Sequence, residues 1–174
     1  VFKSTNDGAE WTAVNTGLRN LKVKDIAFDH DGRCFAATKG HGVFLLENGS
    51  DTWKEINHGL RYRDVNRLIV TINSGWVLAG TNGGGVYRTK DTGKTWHRAN
   101  TGIEAGIITD FYQDNLMTYT STLGQGILTS VSEGSTWSNK DTVNMPKNVT
   151  CISFTKEGEM LAGTIDEGLW YYDL

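Results

Sequence analysis

The segment Gly93-Lys94-Thr95 contains the residue types that most directly suggest chemistry. Gly-Lys-Thr closes the phosphate-binding loop of nucleotide-binding proteins, in which backbone N–H groups and the lysine surround a phosphate. That loop also requires a glycine five residues before Gly93, where this chain has Arg88, and a helix directly after it. The spacing therefore argues against a phosphate site and favours a structural turn.

The segment Arg61-Tyr62-Arg63 is the second candidate. Planar guanidinium groups beside an aromatic ring suit carboxylates, sugars or the central contacts of a protein interface. Similar polar side chains occur in the loops of the other repeats described below. The predicted ligand-binding residues are Arg19, Lys39, His41, Arg61, Tyr62, Arg63, Asn82 and Asp166. The alternative is that these are solvated loop residues without a ligand.

Composition and charge exclude several classes of function. The net charge of -3 gives no basic patch for nucleic acid, and there is no apolar run of about 18 residues that would span a membrane. Cys34 and Cys151 both lie in apolar, strand-like runs, so we expect two buried thiols and not a disulfide, a metal pair or a nucleophile. No cofactor or metal is expected.

A repeat covers the whole chain. Trp11, Trp53, Trp96 and Trp137 are spaced 42, 43 and 41 residues apart. Within each period, apolar runs rich in β-branched and aromatic residues alternate with turns containing Gly, Asn and Asp, as expected of short strands. Four antiparallel strands in such a period correspond to one blade of a β-propeller.

A threonine at the end of the second run of each period is followed four residues later by a glycine. The pairs are Thr38 and Gly42, Thr81 and Gly85, Thr122 and Gly126, and Thr164 and Gly168. Small residues precede most of these threonines, which fits a strand at the crowded junction between neighbouring blades.

The predicted fold is all-β, a β-propeller of four-stranded antiparallel blades with a repeat of 41 to 43 residues and about four blades visible. Residues 1-174 form a single propeller or a section of one. The predicted blades are 1-14 (partial), 23-57, 65-100, 107-141 and 149-174 (partial). The third strand of a blade is present at both ends, which favours a section of a larger propeller over a closed ring. Open blade edges predict self-association.

The turn before each tryptophan has its own pattern. The sequence Thr89-Lys90-Asp91-Thr92-Gly93-Lys94-Thr95-Trp96 has a hydroxyl at its first position, Asp at the third, Gly at the fifth and Trp at the eighth. Copies at 4-11 and 130-137 keep most of this pattern, and the copy at 46-53 has drifted. The predicted structural residues are Ser4, Asn6, Gly8, Trp11, Asn48, Trp53, Thr89, Asp91, Gly93, Trp96, Ser130, Gly134 and Trp137.

This pattern resembles the Asp-box (BNR) repeat of sialidases, sortilin-type receptors, xyloglucanases and photosystem II assembly-factor-like propellers. The segment from Gly163 to Asp173 also resembles the repeats of two-component-regulator propellers. The resemblance implies a secreted, periplasmic or cell-surface protein. It also implies that the Asp-box is structural and lies away from the ligand-binding face.

The resemblance leaves two classes of function open. The first is a non-catalytic binding or scaffold propeller that recognises a glycan or protein through the loops between the second and third strands and between blades. The alternative is a section of a sialidase- or xyloglucanase-like glycoside hydrolase. A sialidase would need three converging arginines, and a xyloglucanase two opposed aspartates. Arg61 and Arg63 share one loop, and no loop offers an obvious Tyr–Glu pair, so we favour the binding protein.

Overall fold

Short antiparallel strands joined by turns make up the chain in a computed structural model that describes residues 1–114, 117–139 and 145–172. No helix occurs in these ranges. The strands are β1 (Phe2–Lys3), β2 (Thr12–Ala13), β3 (Val23–Phe28), β4 (Cys34–Thr38), β5 (Gly42–Leu46), β6 (Lys54–Glu55), β7 (Val65–Val70), β8 (Val77–Thr81), β9 (Val86–Thr89), β10 (His97–Arg98), β11 (Ile107–Gln113), β12 (Thr118–Leu123), β13 (Ile127–Ser130), β14 (Ser138–Asn139), β15 (Val149–Phe154), β16 (Met160–Thr164) and β17 (Leu169–Tyr172).

The strands form successive antiparallel sheets. β1 and β2 make a two-stranded sheet, β15 to β17 make a three-stranded sheet, and β3–β6, β7–β10 and β11–β14 each make a four-stranded sheet in chain order. The all-β prediction with four-stranded antiparallel blades is therefore confirmed. The predicted blade ends at 140-141 and 173-174 lie outside the described residues.

The core lies between successive sheets, and the second strand of a sheet contributes to two core layers. In β4, Phe35 and Ala37 pack toward the following sheet, whereas Cys34 and Ala36 pack toward the preceding one. This division follows from the two-residue period of a strand. Small residues are required here, because a Cβ added at Gly80 would overlap with the Ile108 side chain of the next sheet.

The repeated threonine and glycine form one hydrogen bond in each hairpin after the second strand. The threonine Oγ1 donates to the glycine carbonyl at 2.8 Å in the pairs Thr38–Gly42 and Thr81–Gly85, and the two later pairs match them. The glycines have φ near +75°, which only glycine adopts without strain. The four-residue spacing of threonine and glycine in the sequence therefore reflects a hydrogen bond that closes each hairpin.

Three tryptophans hold each sheet to the one before it. Trp53, Trp96 and Trp137 are buried, and their indole N–H groups donate to backbone carbonyls of the preceding repeat at 2.9, 2.6 and 3.0 Å. Trp11 differs: it is 62% exposed, and its indole donates to the Gly8 carbonyl in its own turn. Trp11 follows the first strand of the described chain, so no earlier sheet among the described residues packs against its ring.

The polar turns before the tryptophans are held by their own side chains. Asp91 Oδ1 accepts hydrogen bonds from the Thr89 hydroxyl at 2.7 Å and the Thr95 N–H at 2.9 Å, and Asn6 and Ser132 take the same place in two other turns. In the drifted copy, Asn48 instead donates to the Asp31 carbonyl at 3.3 Å. The shifted glycine explains this difference, since the turn no longer brings its N–H groups to the Asn48 side chain.

Polar side chains link the first strands of neighbouring sheets. Asn66 donates to the Ile108 carbonyl, and Thr109 donates to the Val149 carbonyl, both at 2.7 Å. Each such bond spans one repeat, so the contact between two sheets is built in the same way along the chain.

The two cysteines have different environments. Cys34 is buried, and burial raises the pKa of its thiol to about 11. Cys151 is exposed, so the expectation of two buried thiols is wrong for this residue. Its strand, β15, belongs to the last sheet of the described residues. Within the described residues, no helix is long and apolar enough to cross a membrane.

Candidate ligand-binding face

The loops between sheets and the hairpins after each second strand lie at the same ends of the sheets, opposite the polar turns, and together they form what we call the loop face. This follows from the antiparallel order of the strands. Tyr62, in the loop before β7, covers the hairpin after β8, because a Cβ added at Gly84 would overlap with the tyrosine ring. The two kinds of loop therefore meet at this point.

A cavity of about 490 Å³ lies beside this contact. Its volume is within the range of about 300 to 1,000 Å³ usual for small-molecule sites. It is lined by Gly59, Arg61, Tyr62, Tyr87, Trp96, His97 and Arg98.

Tyr87 and Arg98 belong to neighbouring strands and lie opposite each other. Arg98 in β10 pairs with Tyr87 in β9, so both side chains are on one face of the sheet. Tyr87 is only 2% exposed. Burial raises the pKa of Tyr87, while the positive charges of Arg98 and Arg61 act in the opposite direction. Arg61, Arg98 and Tyr87 all line the same cavity.

The arginines of this cavity differ from the others. Arg33 and Arg67 pair with aspartates at 2.7 and 3.3 Å, and Arg88 lies over the Trp76 ring at 4.3 Å. Among the described residues, Arg61 and Arg98 have neither an acidic partner nor a hydrogen bond. The cavity thus contains two uncompensated positive charges.

Two predicted arginines lie together elsewhere on this face. Arg63 donates to Glu55 at 2.9 Å, and Arg19 approaches the same carboxylate at 3.6 Å. A hydrogen bond from Asn57, followed by the charges of Arg63 and Arg19, lowers the pKa of Glu55 despite some burial. Arg63 is thus engaged by Glu55, although it is only two residues from Arg61.

The remaining predicted residues form separate small groups. Asn20 donates to the Lys39 carbonyl at 2.6 Å and lies 3.1 Å from His41 Nδ1. Asn82 donates to Asp64 at 3.0 Å. Asp166 is exposed in the hairpin of the last sheet. The structure therefore brings only Arg61 and Tyr62, of the eight predicted residues, to the cavity.

Sequence reasoning missed Tyr87, His97 and Arg98, and placed Trp96 only in the turn. The relevant pattern was present in the fourth strands, which read Thr-Ala, Lys-Glu, His-Arg and Ser-Asn. Among these four strands, only β10 has basic residues at both positions, His97 and Arg98. This comparison between repeats could have identified the basic strand, but not the tyrosine beneath it.

Comparison with known proteins supports the fold. The structure of YCF48 bound to D1 peptide matches with a TM-score of 0.73 and 17% identity, over 99% of this chain and 58% of that chain. The extracellular domain of the putative hybrid two component system BT4673 from B. thetaiotaomicron matches with a TM-score of 0.71 and 16% identity, over 88% and 21%. The GH74 xyloglucanase from Xanthomonas campestris matches with a TM-score of 0.68 and 17% identity, over 93% and 31%.

These matches define a β-propeller, as predicted, with about four blades in this sequence. The chain spans 58% of the YCF48 chain and 21% of the BT4673 chain. No protein-family model matches the sequence, and no curated protein matches it. The identities of 16% and 17% establish the fold alone, so function has to be argued from the site.

Proposed function

We propose that the protein is a non-catalytic propeller that binds a glycan or protein through the loop face described above. The observation that carries this proposal is the cavity beside Tyr62, with its two arginines that have no acidic partner. Arg61 and Arg98 are exposed to solvent, and two guanidinium groups that line one concave site without an acidic partner favour an anionic or strongly polar ligand.

The chemistry of the cavity supports binding and not hydrolysis. Glycoside hydrolases use a pair of carboxylic acids beside the scissile bond. Among the described residues that line this cavity, none is Asp or Glu. Arginine, histidine and tyrosine side chains can orient a ligand, but they do not form that carboxylate pair.

We also propose a location outside the cytoplasm. The structural neighbours include the extracellular domain of BT4673. Such a location would suit a loop face that recognises glycans or protein surfaces. Fractionation of cells that produce the protein would test this location. Recovery in the cytoplasmic fraction alone would contradict the proposal.

A glycan and protein array tests the binding function. The unmodified protein is expected to give at least one specific hit, and Arg61→Ala is expected to weaken that hit more than Arg63→Ala, since Glu55 engages Arg63. Absence of any specific hit would count against the binding function. Hydrolysis of xyloglucan or of a fluorogenic sialoside by this chain would overturn the non-catalytic part.

Self-association is a further part of the proposal. Trp11 is 62% exposed and Phe28 61% in the first sheets, and Leu169 is 72% exposed in the last sheet. The exposed residues near Trp11 border a groove of about 400 Å³. We expect the mass measured by light scattering to rise with concentration and Trp11→Gln to reduce that rise. A mass that stays monomeric at high concentration would contradict it.

A further inference from the structure

We propose that the cavity beside Tyr62 is a specific subsite for a sugar that carries a carboxylate, such as a hexuronic acid unit. This inference rests on the proposed binding function and names the ligand class. Arg61 and Arg98 would bind the carboxylate, the Tyr87 hydroxyl would donate to it from the floor of the cavity, and the ring of Tyr62 would contact the sugar ring.

The charges of the cavity favour an anion. Arg61 and Arg98 belong to different elements, the loop before β7 and the strand β10, yet both line the same cavity. The other arginines of the described chain contact acidic groups, a backbone carbonyl or an aromatic ring. No carboxylate lines the cavity to neutralise this pair. A guanidinium group binds a carboxylate through two parallel hydrogen bonds, which gives both affinity and orientation.

Tyr87 adds a second, independent observation. Its side chain is 2% exposed and lines the cavity, and its hydroxyl has no hydrogen-bond partner among the described residues. The hydroxyl oxygen is not fully enclosed, so a ligand in the cavity can reach it. A ligand oxygen there would accept a hydrogen bond from this hydroxyl.

The shape of the site favours a sugar over an extended peptide. Tyr62 is 49% exposed and rests on the hairpin at Gly83 and Gly84, so it presents a flat ring at the rim of the cavity. The outer strand β10 has only two residues, which leaves little sheet edge for a peptide to extend by strand addition. A compact ring with one carboxylate matches a cavity of about 490 Å³ better than a long chain does.

Isothermal titration calorimetry of the full chain with trigalacturonic acid tests the inference. The matched probes are its methyl ester, which has the same rings without the charge, and a pentapeptide with a free or an amidated carboxyl terminus. We expect binding of trigalacturonic acid and a loss of about 10- to 100-fold for its methyl ester, Arg61→Gln and Arg98→Gln. Tyr87→Phe, which keeps the ring, should lose about 5-fold.

Lys94→Gln is the control, because it also removes one positive charge but lies in the polar turn opposite the loop face. It should change the affinity by less than about 2-fold, as expected for an exposed, solvent-screened charge that does not line the cavity. Circular dichroism spectra of all variants should match the unmodified protein, so that a loss of affinity is not a loss of folding.

Several outcomes would overturn the inference. Equal binding of trigalacturonic acid and its methyl ester, or no effect of Arg61→Gln and Arg98→Gln, would show that this cavity does not bind the carboxylate. Preference for the free peptide carboxyl terminus would assign the site to a protein ligand. No binding of any acidic sugar would refute the subsite, while a neutral glycan or protein hit on the array would leave the proposed binding function standing.

Discussion

The substitution Gly42→Ala tests how the hairpins of the loop face are held in place. Gly42 has φ of +75°, and a Cβ added there would overlap with the Asn57 side-chain oxygen. Asn57 is buried; its Oδ1 accepts from the Val43 N–H at 2.7 Å, and its Nδ2 donates to the His41 carbonyl at 2.9 Å. The substitution therefore strains the backbone and also displaces the side chain that clamps the hairpin.

The two costs can be separated within one hairpin. An L-residue in the left-handed region costs roughly 1–2 kcal/mol. Gly40 has φ of +81°, and an added Cβ there would have no neighbour within 4 Å, so Gly40→Ala should carry only this backbone cost. Gly42→Ala also loses the two hydrogen bonds of Asn57, about 1 kcal/mol each. We expect Gly42→Ala to lower the free energy of unfolding by about 2 kcal/mol more than Gly40→Ala does.

Urea unfolding of the variants measures this difference. In the Asn57→Ala background the extra cost of Gly42→Ala should disappear, because the clamp is already absent. Gly168→Ala gives a second control, since Gly168 occupies the same repeat position with φ of +74° and has no neighbour within 4 Å. Two results would refute the role of Asn57 in holding the hairpin. One is an equal loss of unfolding free energy for Gly42→Ala and Gly40→Ala, and the other is an extra cost of Gly42→Ala that stays the same in the Asn57→Ala background.

Further predictions concern the tryptophans, the cysteines and the partly buried ion pair between Lys24 and Asp64. Trp96→Phe should cost roughly 2–3 kcal/mol in urea unfolding, because it removes the buried indole N–H and part of the packed ring, whereas Trp11→Phe should change stability by less than about 0.5 kcal/mol. Under native conditions a thiol reagent should label Cys151 and leave Cys34 unreacted until urea unfolds the chain; rapid labelling of both would contradict the burial of Cys34. Burial opposes the charge of Asp64, but hydrogen bonds from a lysine and an asparagine outweigh it and lower its pKa. The cost of Asp64→Asn, roughly 1 kcal/mol at pH 7, should therefore be fully present above the ordinary aspartate pKa of about 3.9 and be lost as the pH falls from there through the lowered pKa of the folded state. A cost that does not change between pH 7 and pH 2 would contradict this assignment.

The fold could be predicted from the sequence because each repeat encodes the same local structure. Each tryptophan, each threonine and each hairpin glycine recurs at one spacing, and each has a local role, such as the Thr81 to Gly85 hydrogen bond. Local chemistry of this kind depends on residues close in the chain. It is therefore visible without coordinates.

Burial and the cavity depend on contacts between repeats, and these were harder to predict. Trp11 has the same residue type and turn as Trp96, but one is exposed and the other buried, because burial depends on the preceding sheet. Arg61 and Arg98 meet at one cavity only because the loop before β7 packs beside the outer strand of its own sheet. Arg63 looked equivalent to Arg61 in the sequence, yet Glu55 engages it.

The residues that line the cavity all lie between Gly59 and Arg98, which is about one repeat. A single stretch of polypeptide thus carries the loop, the floor and the outer strand of the site. Duplication of that stretch would copy the complete cavity, and substitutions in one copy would leave the others unchanged. Propellers built in this way can gain, lose or relocate a binding site by exchanging one repeat, and the same segment is a defined unit for transplantation into another propeller.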